Sequence, residues 1–140
     1  MKSLKTLYEC MMGCLIVVGG GFIIYHLDTT NYAVSRIEKL GGGVRSDTAW
    51  GSTLYEIVNL NETPATDSDL KYVRKLQPYS GVYLRNTNIT DQGLKQLHGL
   101  AVDEIDLTGT DVSDSAIAEL LATIPADVEC HIIRDPKTGM

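Results

Sequence analysis

Histidine, cysteine and carboxylate side chains are where a chain of this kind would carry chemistry, and their spacing here points away from catalysis. His26, His98 and His131 are scattered, and none has an acid or thiol at a distance along the chain that would build a nucleophile–base pair. Cys10, Cys14 and Cys130 make an odd count without the paired spacing of a zinc site, so packing and not a disulfide framework must hold the domain. Cys130 reads as a small hydrophobe in an apolar strand position rather than as a reactive thiol. Asp67, Asp91 and Asp114 recur once per 24 and 23 residues. That spread suits helix N-capping and not a calcium loop, which gathers its oxygens in one short segment. Gly41-Gly42-Gly43 is not followed by the Lys-Ser/Thr of a phosphate loop. The expectation is a non-enzymatic chain with no cofactor, no metal and no catalytic residue. A net charge of −6 also argues against nucleic acid, whose phosphates require clustered Lys and Arg.

The aspartates belong to a longer repeat. NLNETPATDSDLKYVRKL (59–76), YLRNTNITDQGLKQLHGL (83–100) and DLTGTDVSDSAIAEL (106–120) align in columns. Leu60, Leu84 and Leu107 form the first, Thr63, Thr87 and Thr110 the second, then the aspartates. Leu70, Leu94 and Ile117 follow, and Val73, Leu97 and Leu120 after them. A period in the twenties is the mark of stacked units that bury a shared core. Each unit reads as a strand with one face inward, a bend at Thr, and a short helix opened by Thr-Asp or Ser-Asp. The Thr hydroxyl is placed to satisfy backbone groups at the bend. Cys130 and Ile132 would begin a terminal half-unit.

These residues resemble the leucine-rich repeat, in the variant where Thr replaces the usual Asn. The resemblance covers about residues 57–133 and is closest in VYLRNTNITDQGLKQLHGL and EIDLTGTDVSDSAIAELLATIP. It implies an α/β fold, a short solenoid with parallel strands on the concave side and helices on the convex side. It also implies protein binding as the role, and it brings no catalytic residue. The anchor-like N-terminus described next, a helix ending in Leu-Gly-Gly and a few such repeats also resemble short bacterial cell-envelope proteins.

Elements before the repeats complete the layout. Residues 10–27, CMMGCLIVVGGGFIIYHL, carry no charge and are just long enough for a membrane-spanning helix, so they read as a transmembrane anchor. Lys2 and Lys5 precede the run and Asp28 follows it, which favours a cytoplasmic N-terminus over residues 1–9 and export of the repeats to the periplasm or outside the cell. A cleaved signal peptide and a buried soluble helix are the alternatives. Gly13, Val17 and Gly21 would share a face of such a helix. YAVSRIEKL, with Ala33, Ile37 and Leu40 at helical spacing, predicts a helix stopped by Gly41–Gly43. Val44 would open a short strand, residues 46–52 a polar loop around Trp50, and Leu54 to Leu60 a second extended segment. Residues 28–56 thus read as a cap and linker, with Trp50 packing in the cap, and residues 134–140 as a tail.

With no chemistry legible, function becomes a matter of partners. The outward strand positions Asn59, Tyr83, Asp106 and His131 should stack side by side, with Asn61, Arg85 and Thr108 on one flank and Gly81, Glu104 and Glu129 on the other. Tyr and Arg are the residue types enriched at interface hot spots. The expected binding set is therefore Asn59, Asn61, Tyr83, Arg85, Glu104, Asp106, Thr108 and His131. The expected function is a membrane-anchored module that binds a protein partner at the cell envelope. The alternative is an assembly subunit that acts through residues 10–27.

Overall fold

The computed structural model describes residues 15–18, 21–24, 29–49 and 52–135. Strands β1 (Leu15–Val18) and β2 (Gly21–Ile24) pair antiparallel, with Leu15 opposite Ile24 and Val18 opposite Gly21. Their residues are largely β-branched or aromatic, the types that favour extended chain, and Gly19-Gly20 stands between them in sequence. Helix α1 (Thr29–Lys39) follows. Its inward residues Ala33 and Ile37 are buried. It ends where Gly41 adopts φ +91° and the Gly42 N–H donates to the Ile37 carbonyl, as the glycine run leads one to expect.

The main sheet has five strands in the order β3 (Gly43–Ala49), β4 (Ser52–Asn59), β5 (Gly81–Tyr83), β6 (Glu104–Asp106) and β7 (His131–Ile133). β3 and β4 are antiparallel, and the later neighbours are all parallel. Between the parallel strands run α2 (Leu70–Leu76, entered through a 3-10 turn at Asp67–Asp69), α3 (Asp91–Leu94, continuing as a 3-10 turn over Lys95–Leu97) and α4 (Asp114–Thr123). Val58, Val82 and Ile105 pair in one row of the sheet and are fully buried. They share one core with Leu60, Leu84 and Leu107 and with the helix residues Leu70, Val73, Leu94, Leu97, Ile117 and Leu120. Each fully buried Leu contributes roughly 1.5–3 kcal/mol. The Arg36 guanidinium, 5.6 Å from the Tyr72 ring centroid and 3.9 Å from the Asp69 carboxylate, adds a polar tie between α1 and α2.

Several expectations of the sequence are corrected. The fold is a small α/β domain with a mixed five-stranded sheet, and not the expected short leucine-rich-repeat solenoid of parallel strands and convex helices. The stretch expected as a polar loop, 46–52, lies mostly in β3 and β4, which run as a long antiparallel hairpin with an irregularity between Arg45 and Ser46. Trp50, the centre of that expected loop, lies outside the described residues. Within residues 10–27 the described parts are the strands β1 and β2, so Val17 and Gly21 share no helix face. Among the described residues no helix is long and apolar enough to cross a membrane. Cys10, Gly13, Cys14 and His26 lie outside the described residues.

The threonine column closes each strand's bend from within its own unit. Thr63 Oγ1 donates to the Leu60 carbonyl at 2.7 Å, Thr87 Oγ1 to Leu84 at 2.6 Å and Thr110 Oγ1 to Leu107 at 2.6 Å. These are separate bonds three residues apart, not a ladder running from unit to unit. Thr87 is 5% exposed, so water cannot replace its hydroxyl at that carbonyl. Thr87→Val keeps the branched shape and removes the donor; we expect it to destabilise the chain by ~1–3 kcal/mol in denaturant unfolding. A neutral result would mean that the bend does not depend on the bond.

Bonds between the helix caps of successive units are made by the aspartates. Thr66, Thr90 and Ser113 are the N-cap residues, and Thr90 Oγ1 and Ser113 Oγ accept helix amides. Asp67 and Asp91 instead reach sideways to the cap of the next unit. Asp67 accepts from Thr90 N–H at 2.8 Å and Thr90 Oγ1 at 2.7 Å; Asp91 accepts from Ser113 N–H and Ser113 Oγ, both at 2.7 Å. Those two Ser113 bonds hold the Asp91 carboxyl below the usual carboxylate range. Asp114, the last of the column, pairs with Arg134. The capping role expected of the aspartates is thus corrected to one of cross-bracing. Gly93 makes the approach possible, because a Cβ there would collide with the Asp67 carboxylate.

Candidate binding face

The outer face of the main sheet is built in rows by the strand register. Ile57, Gly81, Glu104 and His131 form one row, and Asn59, Tyr83, Asp106 and Ile133 the next. Asn61, Arg85 and Thr108 lie two residues further along each chain. The first three strands have the register that the repeat columns predict, whereas the last is displaced by two residues. His131 lies opposite Glu104, and Ile133 takes the place beside Asp106 that was expected of His131. The reason is the longer return from α4, through the turn in which Val128 N–H donates to the Pro125 carbonyl. The same displacement puts Ile132 opposite Ile105 and leaves Cys130 just before the strand. Cys130 is half-buried against the core, and that burial, with Asp103 nearby, pushes its thiol pKa up.

Arg85 is held by Asp106 of the next strand, and Tyr83 lies near Glu104 of that strand. Gly81 leaves room for the Tyr83 ring, since a Cβ at Gly81 would stand 3.0 Å from Tyr83 Cζ and Oη. The hydrogen bond to the Glu104 carboxylate, then burial, raise the Tyr83 phenol above its ordinary pKa. Arg85 Nε and Nη2 both donate to Asp106 Oδ2, at 3.2 and 3.0 Å, while Asp106 Oδ1 accepts from Thr108 N–H at 3.0 Å. Arg85 keeps 48% of its side chain exposed, whereas Asp106 keeps 2%. Burial pulls the Asp106 carboxyl upward, but the Thr108 and Arg85 hydrogen bonds and the guanidinium charge outweigh it, and its pKa lies below the usual carboxylate range.

Asn59 and Asn61 extend the same face with backbone-directed bonds. Asn59 Oδ1 accepts from Asn61 N–H at 2.9 Å, and Asn61 Oδ1 accepts from Arg85 N–H at 2.8 Å, a bond between units. Of the expected set, Asn59, Asn61, Tyr83, Arg85, Glu104, Asp106 and Thr108 are therefore on one continuous face. His131 joins it beside Glu104 and not beside Asp106. Asp106 contributes charge and position but almost no contact surface, because Arg85 lies over it. The sequence hints only at the Thr108 bond: an Asp two residues before a turn amide is at the spacing at which a carboxylate takes that amide.

Other features of the face escaped the sequence reading. Glu62, Asn86 and Gly109 occupy equivalent turns with φ of 59°, 52° and 69°. Asn86 Nδ2 donates to Glu62 Oε1 at 2.7 Å, and a side chain at Gly109 would strike the Asn86 amide. Gly109 and Asn86 are residue types that accept a left-handed turn, whereas Glu62 gives no such sign. Elsewhere, a 480 Å³ depression is lined by Thr90, Asp91, Gln92, Lys95, Asp111, Val112 and Ser113. His98 lies at the end of the turn after α3, away from His131 in β7. Among the described residues no group of three or more His, Cys, Asp or Glu side chains could hold a metal ion. In comparisons with known proteins, no family model, no curated protein and no solved structure matches this chain.

Proposed function

We propose that the chain is a non-enzymatic binding module whose contact surface for a protein partner is the outer sheet face around Tyr83 and Arg85. The observation that carries this reading is an aromatic ring and a guanidinium two residues apart on the outer face, the guanidinium fixed by two bonds to the Asp106 carboxylate and the ring seated against Gly81. A partner docking there need not immobilise those side chains, which lowers the entropic cost of association. Tyr and Arg are also the types that dominate interface energetics. The flanking Asn59, Asn61 and Thr108 side chains and the half-exposed Glu104 give the polar rim that such contacts have.

Affinity capture with the full chain, followed by quantitative binding to the protein recovered, tests the reading. Tyr83→Ala should weaken that binding by roughly 30-fold or more, the scale of a hot-spot truncation. Glu119→Ala, on the exposed part of α4, should leave it unchanged. Equal affinity of the Tyr83→Ala and parent chains would remove the outer face as the contact surface.

A further inference from the structure

β3 borders the main sheet, with β4 on one side and no strand on the other among the described residues. An open edge of seven residues is a template for another strand. We propose that this edge pairs antiparallel with β3 of a second copy of the chain, about a two-fold axis through Ser46. The argument is the order of charges in Val44-Arg45-Ser46-Asp47-Thr48. With Ser46 opposite itself, Arg45 faces Asp47 of the second copy and Asp47 faces its Arg45, so both charge pairs are complementary. Centring the pair on Arg45 sets two guanidiniums together, and centring it on Asp47 sets two carboxylates together. A parallel in-register pair does both. The Ser46 register is therefore selected against its neighbours by like-charge repulsion as well as by attraction.

Both side chains are available for this. Arg45 is 66% exposed, and its contact with Glu56 of β4 is a loose 3.7 Å. Asp47 and Thr48 are exposed, and the Asp47 carboxylate accepts from its neighbour's Thr48 N–H at 2.7 Å. In the single chain that bond covers one edge amide, which restrains indiscriminate pairing with other strands. In the pair the carboxylate turns to the opposing guanidinium. The two-fold arrangement is closed, so it yields dimers and not fibres. A contact of one strand per copy is small, and the dimer exchanges rapidly.

Charge reversal tests the register on the full chain. Dimer formation is followed over a concentration series by sedimentation velocity, and mixed pairing by energy transfer between labelled copies. The parent chain should dimerise. Arg45→Asp alone and Asp47→Arg alone should each weaken dimerisation at least ~tenfold, because each places like charges opposite one another twice. Mixing those two single variants should give heterodimers, and the doubly reversed Arg45→Asp/Asp47→Arg chain should dimerise like the parent. Both rescues require folded variants, so they separate repulsion from misfolding. A parent chain that stays monomeric, or single variants that dimerise like it, would overturn the proposal, as would a mixture of the two that stays unpaired. Association through the apolar residues 10–27 would be indifferent to these charges and would give the second of those outcomes.

Discussion

Leu84→Ala should lower the stability of the chain by ~2–5 kcal/mol, the cost of emptying a fully buried leucine site whose surroundings relax only in part. Leu84 is 0% exposed and stands in the middle of the column, with Leu60 and Leu107 buried in the units on either side. Its N–H donates to the Asp106 carbonyl at 2.9 Å and its carbonyl accepts the Thr87 hydroxyl, so the backbone is pinned at both ends of the residue. The site therefore cannot close by sliding the strand, and the expected loss lies toward the upper half of that range. Glu119→Ala on the surface of α4 should stay within about 0.5 kcal/mol of the parent. Denaturant unfolding of both, with m compared to detect a change in the surface exposed, gives the measurement. A Leu84→Ala chain as stable as the surface variant would mean that the column does not face the core.

The Leu columns were legible because an inward side chain has one tolerable chemistry, and three aligned copies repeat it. Leu70, Leu94 and Ile117, and Val73, Leu97 and Leu120, were legible for the same reason. Each of these residues is now found buried, and Ala33 and Ile37 of α1 with them. What the sequence hid were choices made by partners distant along the chain. Nothing local in Asp106 announces Arg85, 21 residues earlier, yet that contact takes an outward carboxylate out of water. Nothing in Asp67 alone tells an N-cap from a brace; the Thr90 amide and hydroxyl donors and the missing Cβ of Gly93 decide it. The last strand slipped by two positions because repeat columns carry no information about the length of an irregular return. At the other end, the uncharged run 10–27 satisfied a hydropathy criterion for a spanning helix. Its Leu15–Val18 and Phe22–Ile24 clusters satisfy β propensity equally well, and in the described parts the extended conformation prevails.

Asp106→Ala should destabilise the chain by about 2–3 kcal/mol at neutral pH, although the residue lies on the outer face of the sheet. The carboxylate makes a charge-assisted bond with Arg85 and takes the Thr108 amide, and removing it strands that amide under the remaining Arg85 side chain. Breaking a fully buried ion pair costs ~3–5 kcal/mol; the expectation here is lower because the half-exposed Arg85 can return to water. The effect must also depend on pH in one direction. The folded pKa of Asp106 lies below the ordinary carboxylate value, so the fold favours the ionised form. Its contribution is fully present above the unfolded carboxyl pKa of about 3.9 and is lost as pH falls through the lower folded value. The stability gap between parent and Asp106→Ala should therefore be constant from neutral pH down to about 5 and narrow below about 4. Asp106→Asn keeps an oxygen for the Thr108 amide but offers Arg85 no charge; it should fall between the two at neutral pH, and its gap to Asp106→Ala should not narrow in acid. Unfolding curves for the three chains across that range decide the matter. A gap that persists unchanged through the acid range would show that Asp106 acts by shape alone, and a neutral Asp106→Ala would show that the Arg85 contact contributes nothing to folding.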